Sequence, residues 1–369
     1  MARAADWSAL PSELVSRVAD LFLATSDVDY YTSLRAVCRN WRAATDDPRG
    51  PHPRFRPHRW VMLDELDRNA GSRIFLNVKT GRFLRRDMPA LRYYFYVAAS
   101  EGLLVLLASN SETRLCVLNP ITGSVVRFHA TVHVHPRDIG LAVAGSSPMV
   151  LTIFSSPSHG ACFEPTVPGV NPSSPPVFTA APTLDSFASV VAFQGRVYAA
   201  DRAGSVAVVE HTGPDTTPEI TILVTGDRLA NTYTFLVDSA GDELLLVRAS
   251  STTATGRSIQ VFKVNLGTNA LEPVRSIGNR ALVLGIQSIS VDAGNVPGLE
   301  GNCVYYGNGL CRQTGICVYR INDGSEEVLA AHPTDKERRR GQGRVFPLPL
   351  AQILVISAWP FRDSDFEGW

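Results

Sequence analysis

Three histidines form the group whose types and spacing come closest to a metal site. His129, His133 and His135 could share an ion, since imidazole nitrogens are common zinc ligands and the last two would lie on one face of a strand. Asp138 is near in sequence, but no cysteine or carboxylate completes an evident ligand set. We therefore interpret these residues as strand or loop histidines.

The cysteines and a basic run are the other candidates for chemistry. Cys303, Cys311 and Cys317 lie eight and six residues apart, unlike the ligands of zinc ribbons and fingers, and we interpret them as free thiols. Lys336–Arg340 could contact a phosphate or act in nuclear import, but we interpret it as a solvated loop between the last strands. The contiguous motifs of P-loop NTPases, serine hydrolases, zinc proteases and dinucleotide-binding folds do not occur. The sequence predicts no catalytic, cofactor-binding or metal-binding residue.

The composition is that of a globular protein without a charge bias. Of the 369 residues 45% are hydrophobic and 19% charged, and 35 basic residues balance 35 acidic ones. This balance argues against general nucleic-acid binding, and no apolar stretch is long enough for a membrane span. The six cysteines are scattered, and Met1–Asp6 lead directly into the first helical pattern. We therefore expect a protein of the cytoplasm, the nucleus or both.

The first 45 residues predict a small all-α domain. Pro11 suits the first turn of a helix, and apolar residues recur with helical spacing over Leu14–Phe22 and again over Tyr30–Trp41. Ser26 or Asp27 can cap the second helix. A segment of this length cannot bury much apolar surface by itself. The helices must therefore pack against a partner or against the domain that follows.

Residues 46–59 hold four prolines and predict a linker, which we expect to be solvated. An all-β domain is expected over residues 60–362, followed by a tail at 363–369. Ser155–Pro182 contains seven prolines and is expected to be a long loop within or between repeats. The apolar segment Leu348–Ile356 is interpreted as a terminal strand.

A repeat in the second domain predicts its architecture. Short apolar strands follow turns at Gly102, Gly195 and Gly241, and the spacings of 93 and 46 residues are close to two units and one unit. The intervening unit is expected near position 148, and a later one follows Gly301. A period near 45 residues with about four strands per unit predicts the blades of a β-propeller. A β-sandwich with long insertions is the alternative.

Two parts of the sequence resemble known families. The Leu10–Pro11 pair before an aliphatic helix and the closing pattern Arg-x-Val-Cys-x-x-Trp, which ends at Trp41, resemble the F-box. Leu118–Gly123, Phe193–Ala199 and the strands and turns of residues 236–306 are similar to the plant F-box family that carries a KIB-type β-propeller. The resemblance covers residues 7–42 and about 95–325.

This resemblance implies a non-catalytic substrate receptor of an SCF-type cullin-RING E3 ubiquitin ligase. The helices would bind a Skp-type adaptor and, through it, the cullin and RING subunits. The propeller would recruit a target protein whose identity the sequence does not reveal. The adaptor-binding residues would be Leu10, Pro11, Leu14, Val18, Leu21, Leu34, Val37 and Trp41.

A second hypothesis comes from a different functional class. The protein could be a β-propeller enzyme or a small-ligand-binding protein with a vestigial helical cap. Propellers often place polar side chains around a central channel, and the candidates for such positions are Asp201, Arg202, His211 and Arg248.

Overall fold

The fold is described from a computed structural model of the chain. The described residues are 6–50, 52–63, 72–108, 114–129, 139–145, 149–155, 159–166, 177–179, 187–211, 218–227, 232–239, 241–252, 256–285, 287–307, 315–331 and 350–358. They comprise an N-terminal helical segment, a series of β-sheets and a last helix. No helix within these ranges is long and apolar enough to cross a membrane.

The helical segment contains three α-helices, α1 (Ser12–Ala24), α2 (Val28–Ala36) and α3 (Arg39–Ala43), with single 3-10 turns at Trp7–Ala9 and Pro53–Phe55. The second helical pattern of the sequence is thus divided between α2 and α3. The division falls at Cys38, whose backbone is extended and whose Sγ accepts a hydrogen bond from the Trp41 N–H at 3.5 Å. The helices share a small core of Val15, Ala19, Tyr31, Leu34 and Phe55.

The strands within the described residues form six sheets, which we number as blades 1–6 in chain order. Blade 1 contains β1 (Trp60–Leu63), β2 (Ser72–Asn77) and β3 (Phe83–Asp87). Blade 2 contains β4 (Tyr94–Ser100), β5 (Leu103–Ala108), β6 (Arg114–Leu118) and β7 (Val125–His129). Blade 3 contains β8 (Ile139–Ala144), β9 (Val150–Ser155), β10 (His159–Phe163) and β11 (Val177–Thr179).

The other three blades follow the same order. Blade 4 contains β12 (Phe187–Phe193), β13 (Arg196–Asp201), β14 (Val206–Glu210) and β15 (Glu219–Val224). Blade 5 contains β16 (Thr232–Ser239), β17 (Glu243–Thr252), β18 (Gly256–Asn265) and β19 (Ala270–Val274). Blade 6 contains β20 (Arg280–Val283), β21 (Ile289–Asp292), β22 (Cys303–Tyr306), β23 (Gly315–Arg320) and β24 (Glu326–Ala331), and its β20 and β22 pair in parallel.

Six hydrophobic cores close the blades into a ring. Each core is shared by two successive blades, from blades 1 and 2 through to blades 5 and 6, and the last joins blade 6 back to blade 1. A blade cannot bury both of its faces alone, so stacking around a ring supplies the missing surfaces. The predicted β-propeller is therefore confirmed, and the sandwich alternative is wrong.

The repeat marks the same strand in successive blades. The strands β5, β9, β13, β17 and β22 begin at residues 103, 150, 196, 243 and 303, and each is the second strand outward from the centre or, in blade 6, the third. Within the described residues, blades 2 to 5 have four strands each, blade 1 has three and blade 6 has five. The expected unit near position 148 corresponds to β9.

Two expectations about irregular parts of the sequence are wrong. Ser155–Pro182 is not a loop throughout, because β10 and β11 lie within it and complete blade 3. The predicted terminal strand is instead a helix, α4 (Leu350–Ala358), whose Ala351, Leu354 and Val355 are buried in the core between blades 6 and 1. Seven of the nine residues of α4 are apolar, and Gln352 and Ser357 do not repeat at a strand or helix spacing, so neither period is visible in it.

Candidate functional site: an apolar helix face and a central channel

Most of the predicted adaptor-binding residues lie at the surface of the helical segment. Leu14, Val18 and Leu21 are 48%, 39% and 66% exposed, and Val37 is 59% exposed. Pro11 is also exposed, whereas Leu10 and Trp41 are half-buried against the helical core. Leu34 is only 6% exposed and belongs to that core, so it supports the helices from inside.

Three of these residues form one continuous surface on α1. Leu14, Val18 and Leu21 are spaced four and three residues apart and therefore lie on one side of the helix. The neighbouring side carries Val15 and Ala19, both 2% exposed, into the helical core. We call Leu14, Val18 and Leu21 the apolar helix face. The sequence hypothesis did not include Trp7, which is 67% exposed at the start of the segment.

Backbone carbonyls of the helical segment accept hydrogen bonds from blade side chains. The Trp60 indole N–H donates to the Ser26 carbonyl at 2.8 Å, and Asn77 Nδ2 donates to the Thr25 carbonyl at 3.2 Å. Asn119 occupies the same turn of blade 2 that Asn77 occupies in blade 1, and its Nδ2 donates to a carbonyl at the other end of the segment, that of Phe55, at 3.0 Å. Both asparagines also accept two backbone N–H groups from their own turns, which fixes their orientation.

Ion pairs add a charged contact between α2 and blade 1. The Arg82 guanidinium pairs with the carboxylates of Asp27 and Asp29, and Arg86 pairs with Asp29. The Arg82 guanidinium also lies 3.8 Å from the ring centre of Tyr30. Asp27 precedes α2 as the sequence predicts, but its side chain binds Arg82 instead of capping the helix.

The second half of the proline-rich linker is largely buried, whereas Asp46, Asp47, Arg49, Gly50 and His52 are exposed, so the expectation of a solvated linker is wrong for the second half. Phe55 and Arg56 are 2% and 4% exposed. Arg56 pairs with Glu101 in the first turn of blade 2 and donates to the Gly145 carbonyl of blade 3. Gly102 lies so close to the Pro57 carbonyl that a Cβ atom there would be 1.8 Å from the oxygen. The linker thus crosses one end of the propeller.

A central channel runs between the inner strands of the blades. It encloses about 130 Å³ and is lined by β1 and β21 together with the first strands of blades 2 to 5. Serines on the inner strands join neighbouring blades: Ser100 Oγ accepts from the Val143 N–H at 2.9 Å, and Ser189 Oγ accepts from the Leu236 N–H at 3.0 Å. Aliphatic and polar residues both line it: Val61 and Val190 lie among the former, and Ser100, Ser288 and Ser290 among the latter.

The end of the channel beside the linker is polar. His58, Arg59, Glu101 and Asp238 line it. His58 keeps some exposure at this end, but the surrounding protein and the charges of Arg59 and Arg56 lower its pKa to about 4, so its imidazole is neutral at pH 7. Burial raises the pKa of Asp238, and the Gly241 N–H and Arg59 oppose that effect. Gln287 and Ser288 lie toward the end at which the inner strands begin.

The four channel residues that the sequence suggested do not line this channel. Asp201 Oδ1 accepts from the Ser205 N–H at 2.7 Å in a turn of blade 4, in which Arg202 also lies. Arg248 donates to the Gly204 carbonyl at 3.3 Å, and His211 contacts Glu164 of blade 3 at 3.2 Å. Sequence reasoning missed the true lining residues because it chose polar residues by type. The sequence repeat could identify the lining residues. In blades 2 to 5 the residues directly before the turn glycine, such as Gly102 or Gly241, form the inner strand of the blade.

Of the residues considered for metal binding, the structure describes His129, Cys303 and Cys317. His129 ends β7, whereas His133, His135 and Asp138 lie outside the described residues. Cys303 and Cys317 are buried thiols on neighbouring strands, and Cys311 and the basic run 336–340 are also outside the described ranges. Among the residues that the structure describes, no group of three histidines, cysteines or carboxylates could hold a metal ion.

Comparison with known proteins identifies a family for the β domain. Residues 75–320, two thirds of the chain, match the family model described as the KIB1-4 beta-propeller. No match is found among the curated proteins.

Several solved structures share a distant likeness to the chain. A putative 6-phosphogluconolactonase from Bacteroides uniformis is 14% identical with a TM-score of 0.36, and the match covers 74% of this chain and 83% of that one. The Cps50 (Swd1) β-propeller domain of Myceliophteria thermophila is 7% identical with a TM-score of 0.33, covering 73% and 79%. These likenesses are too weak to bear on function.

Proposed function

Because the chain belongs to the KIB1-4 β-propeller family, we propose that it is the substrate receptor of an SCF-type cullin-RING ubiquitin ligase. In this proposal the N-terminal helices are an F-box that binds a Skp-type adaptor, and the propeller binds a target protein. The protein itself catalyses no reaction.

The observation that carries the proposal is the apolar helix face. Leu14, Val18 and Leu21 remain exposed although the propeller already holds the helical segment through other surfaces. Complete burial of a leucine or valine contributes roughly 1.5–3 kcal/mol, and these side chains are 39–66% exposed, so covering each contributes about half of that. The three together favour binding of a partner there. A partner with an apolar groove for a helix satisfies this chemistry.

The proposed mechanism is positional. A target held on the propeller would meet the ubiquitin-charged enzyme at a high effective concentration, because the adaptor and the cullin link the two. The packed linker and the contacts of Arg82 restrict the freedom of the helices relative to the blades. Such a restriction favours this role, since a rigid connection holds the target at one distance from the enzyme.

Binding of a purified Skp-type adaptor to the full chain tests the proposal. Leu14→Arg combined with Leu21→Arg places two charges on the apolar helix face and should reduce adaptor affinity at least about 100-fold. Isothermal titration calorimetry measures the affinity, and circular dichroism verifies the fold. Val125→Arg is the matched control, because Val125 is an apolar residue of blade 2 that is 41% exposed. An adaptor that does not bind the wild-type chain, or that binds the double variant normally, contradicts the proposal.

A further inference from the structure

We propose that the polar end of the central channel binds a small zwitterion, a molecule that carries one carboxylate and one ammonium group. This site is separate from the apolar helix face and does not depend on the proposed ligase role. It rests on three features of this end of the channel: two opposite charges that are not paired, a turn that holds them near each other, and an opening to solvent.

Two of the four titratable side chains at this end contribute no free charge. Glu101 pairs with Arg56, and the imidazole of His58 is neutral at pH 7 because its pKa is about 4. The other two are Arg59 and Asp238, which line the channel and are half-buried. Among the described residues, none forms an ion pair with either of them, and the Arg59 guanidinium donates no hydrogen bond. A half-buried charge without a counterion is unfavourable, so each of these groups gains from a ligand of opposite charge.

The two unpaired charges lie beside the same turn of blade 5. The Gly241 N–H donates to Asp238 Oδ1 at 2.7 Å, which favours the charged form of this carboxyl group. A Cβ atom on Gly241 would lie 3.3 Å from Arg59 Nη2. The guanidinium and the carboxylate are thus neighbours of one glycine without being in contact with each other. A ligand that offers a carboxylate to Arg59 and an ammonium to Asp238 forms charge-assisted hydrogen bonds with both.

The linker holds Arg59 in position before any ligand binds. The Arg59 carbonyl accepts a hydrogen bond from the Val78 N–H of blade 1 at 2.8 Å. Three residues earlier, Arg56 fastens the linker to blades 2 and 3 through Glu101 and the Gly145 carbonyl. A site whose charged groups are already ordered binds a small molecule without first having to order its own side chains.

The dimensions of the channel limit the ligand. The channel encloses about 130 Å³, and a protein cavity of roughly 150 Å³ accepts benzene, so a molecule of about six non-hydrogen atoms fits. His58 lines this end and is exposed, so the opening reaches solvent. Ser100, next to Glu101, also lines the channel and makes the wall beside the charges polar. These features favour a short amino acid over a larger charged molecule.

Ligand-observed NMR on the full chain tests the site with three probes: β-alanine, propionate and ethylammonium. β-Alanine carries both charges, propionate lacks its ammonium group, and ethylammonium lacks its carboxylate. We expect β-alanine to bind at least about tenfold more tightly than either of the others. Arg59→Gln should weaken β-alanine at least about tenfold and leave ethylammonium unchanged or tighter. Asp238→Asn should weaken β-alanine to a similar extent and leave propionate unchanged or tighter.

Two variants of exposed neighbours are the matched controls. Asp242 lies on the same turn as Asp238, and Arg49 lies in the same linker as Arg59, but neither lines the channel. Asp242→Asn and Arg49→Gln should leave the affinity for β-alanine unchanged. Loss of the fold would weaken all three probes together, so the opposite responses of propionate and ethylammonium identify a true loss of one charge. Thermal unfolding verifies the fold of each variant.

Three results would overturn the proposal. β-Alanine fails to bind at millimolar concentration, it binds no more tightly than the two probes with a single charge, or its binding is insensitive to both Arg59→Gln and Asp238→Asn. Adaptor affinity is measured separately, so failure here does not affect the proposed ligase role.

Discussion

Gly102 is the residue at which the linker and the propeller come closest. Its φ of +72° is the left-handed region, and a Cβ atom would lie 1.8 Å from the Pro57 carbonyl oxygen. Gly102→Ala should therefore lower the free energy of unfolding by about 3 kcal/mol, because backbone strain adds to a steric clash with main chain that cannot move aside. Urea denaturation followed by tryptophan fluorescence measures the loss.

Gly123 separates the two causes of that loss. It has almost the same φ, +73°, but no atom lies within 4 Å of its virtual Cβ. Gly123→Ala should lower stability by only about 1 kcal/mol, the strain of the left-handed backbone alone. Equal losses of unfolding free energy for the two variants would mean that the Pro57 carbonyl does not clash with a side chain at position 102.

The individual residues of the candidate site are predictable from the sequence only in part. Leu14, Val18 and Leu21 could be assigned to one helix side because residues four and three apart share a face. The burial of Leu34 could not be foreseen, since Phe55 of the linker joins the same core from twenty-one residues away. The channel position of Gln287 gave no signal either, because its side chain accepts a hydrogen bond from Tyr96, which is 191 residues away in the chain.

Among the elements, α2 and blade 1 are joined most strongly by Arg82. Its partner Asp27 has a side chain only 7% exposed, so removing the guanidinium leaves a buried carboxylate without its counterion. Arg86 continues to pair with Asp29 but not with Asp27. Arg82→Met should weaken the docking of α2 by about 3 kcal/mol. Hydrogen exchange of the α2 amides should then be faster on the order of 100-fold, while the inner strands keep their protection.

Arg196→Met is the matched control for that experiment. Arg196 pairs with Glu210 at 3.3 Å, but the two side chains are 61% and 41% exposed. Exposed pairs contribute less than about 1 kcal/mol, so exchange in α2 should not change. If Arg82→Met leaves α2 as protected as this control does, the helical segment is held by its hydrogen bonds and apolar contacts instead.

Most strands were easier to predict from the sequence than α4, β10 and β11. Apolar runs bounded by turn residues, with Gly102, Gly195 and Gly241 at intervals, are local signals that a blade needs whatever its neighbours do. The α4 helix carries no such signal, because seven of its nine residues are apolar and its two polar residues, Gln352 and Ser357, are five positions apart. The strands β10 and β11 were obscured by the prolines in the sequence between them. In both cases contacts with other blades decide the structure, and these are absent from a local pattern.

For the whole molecule, the junction between blade 6 and blade 1 decides whether the ring stays closed. The other five cores are built from strands that follow each other in the chain, whereas this one brings the two ends of the propeller together. Leu76 and Val78 of the blade 1 side meet Val291 and Val318 of blade 6 there, and α4 adds side chains from its own buried face. Two hydrogen bonds cross this junction, from the Asp292 N–H to the Val78 carbonyl at 3.0 Å and from Asn295 Nδ2 to the Lys79 carbonyl at 2.9 Å. The rest of the contact depends on side-chain packing.

Leu354 tests that dependence, because it is fully buried in α4 at this junction. Leu354→Ala should lower the free energy of unfolding by about 2–5 kcal/mol through lost burial and the cavity that remains. Leu329→Ala is the matched control: Leu329 is 43% exposed on β24 of the same blade, and its loss should be within about 0.5 kcal/mol. Calorimetry should show an earlier unfolding transition for Leu354→Ala, and hydrogen exchange should show β1 and β21 losing protection before β12. Uniform loss of protection across all six blades would mean that the ring opens at no preferred junction.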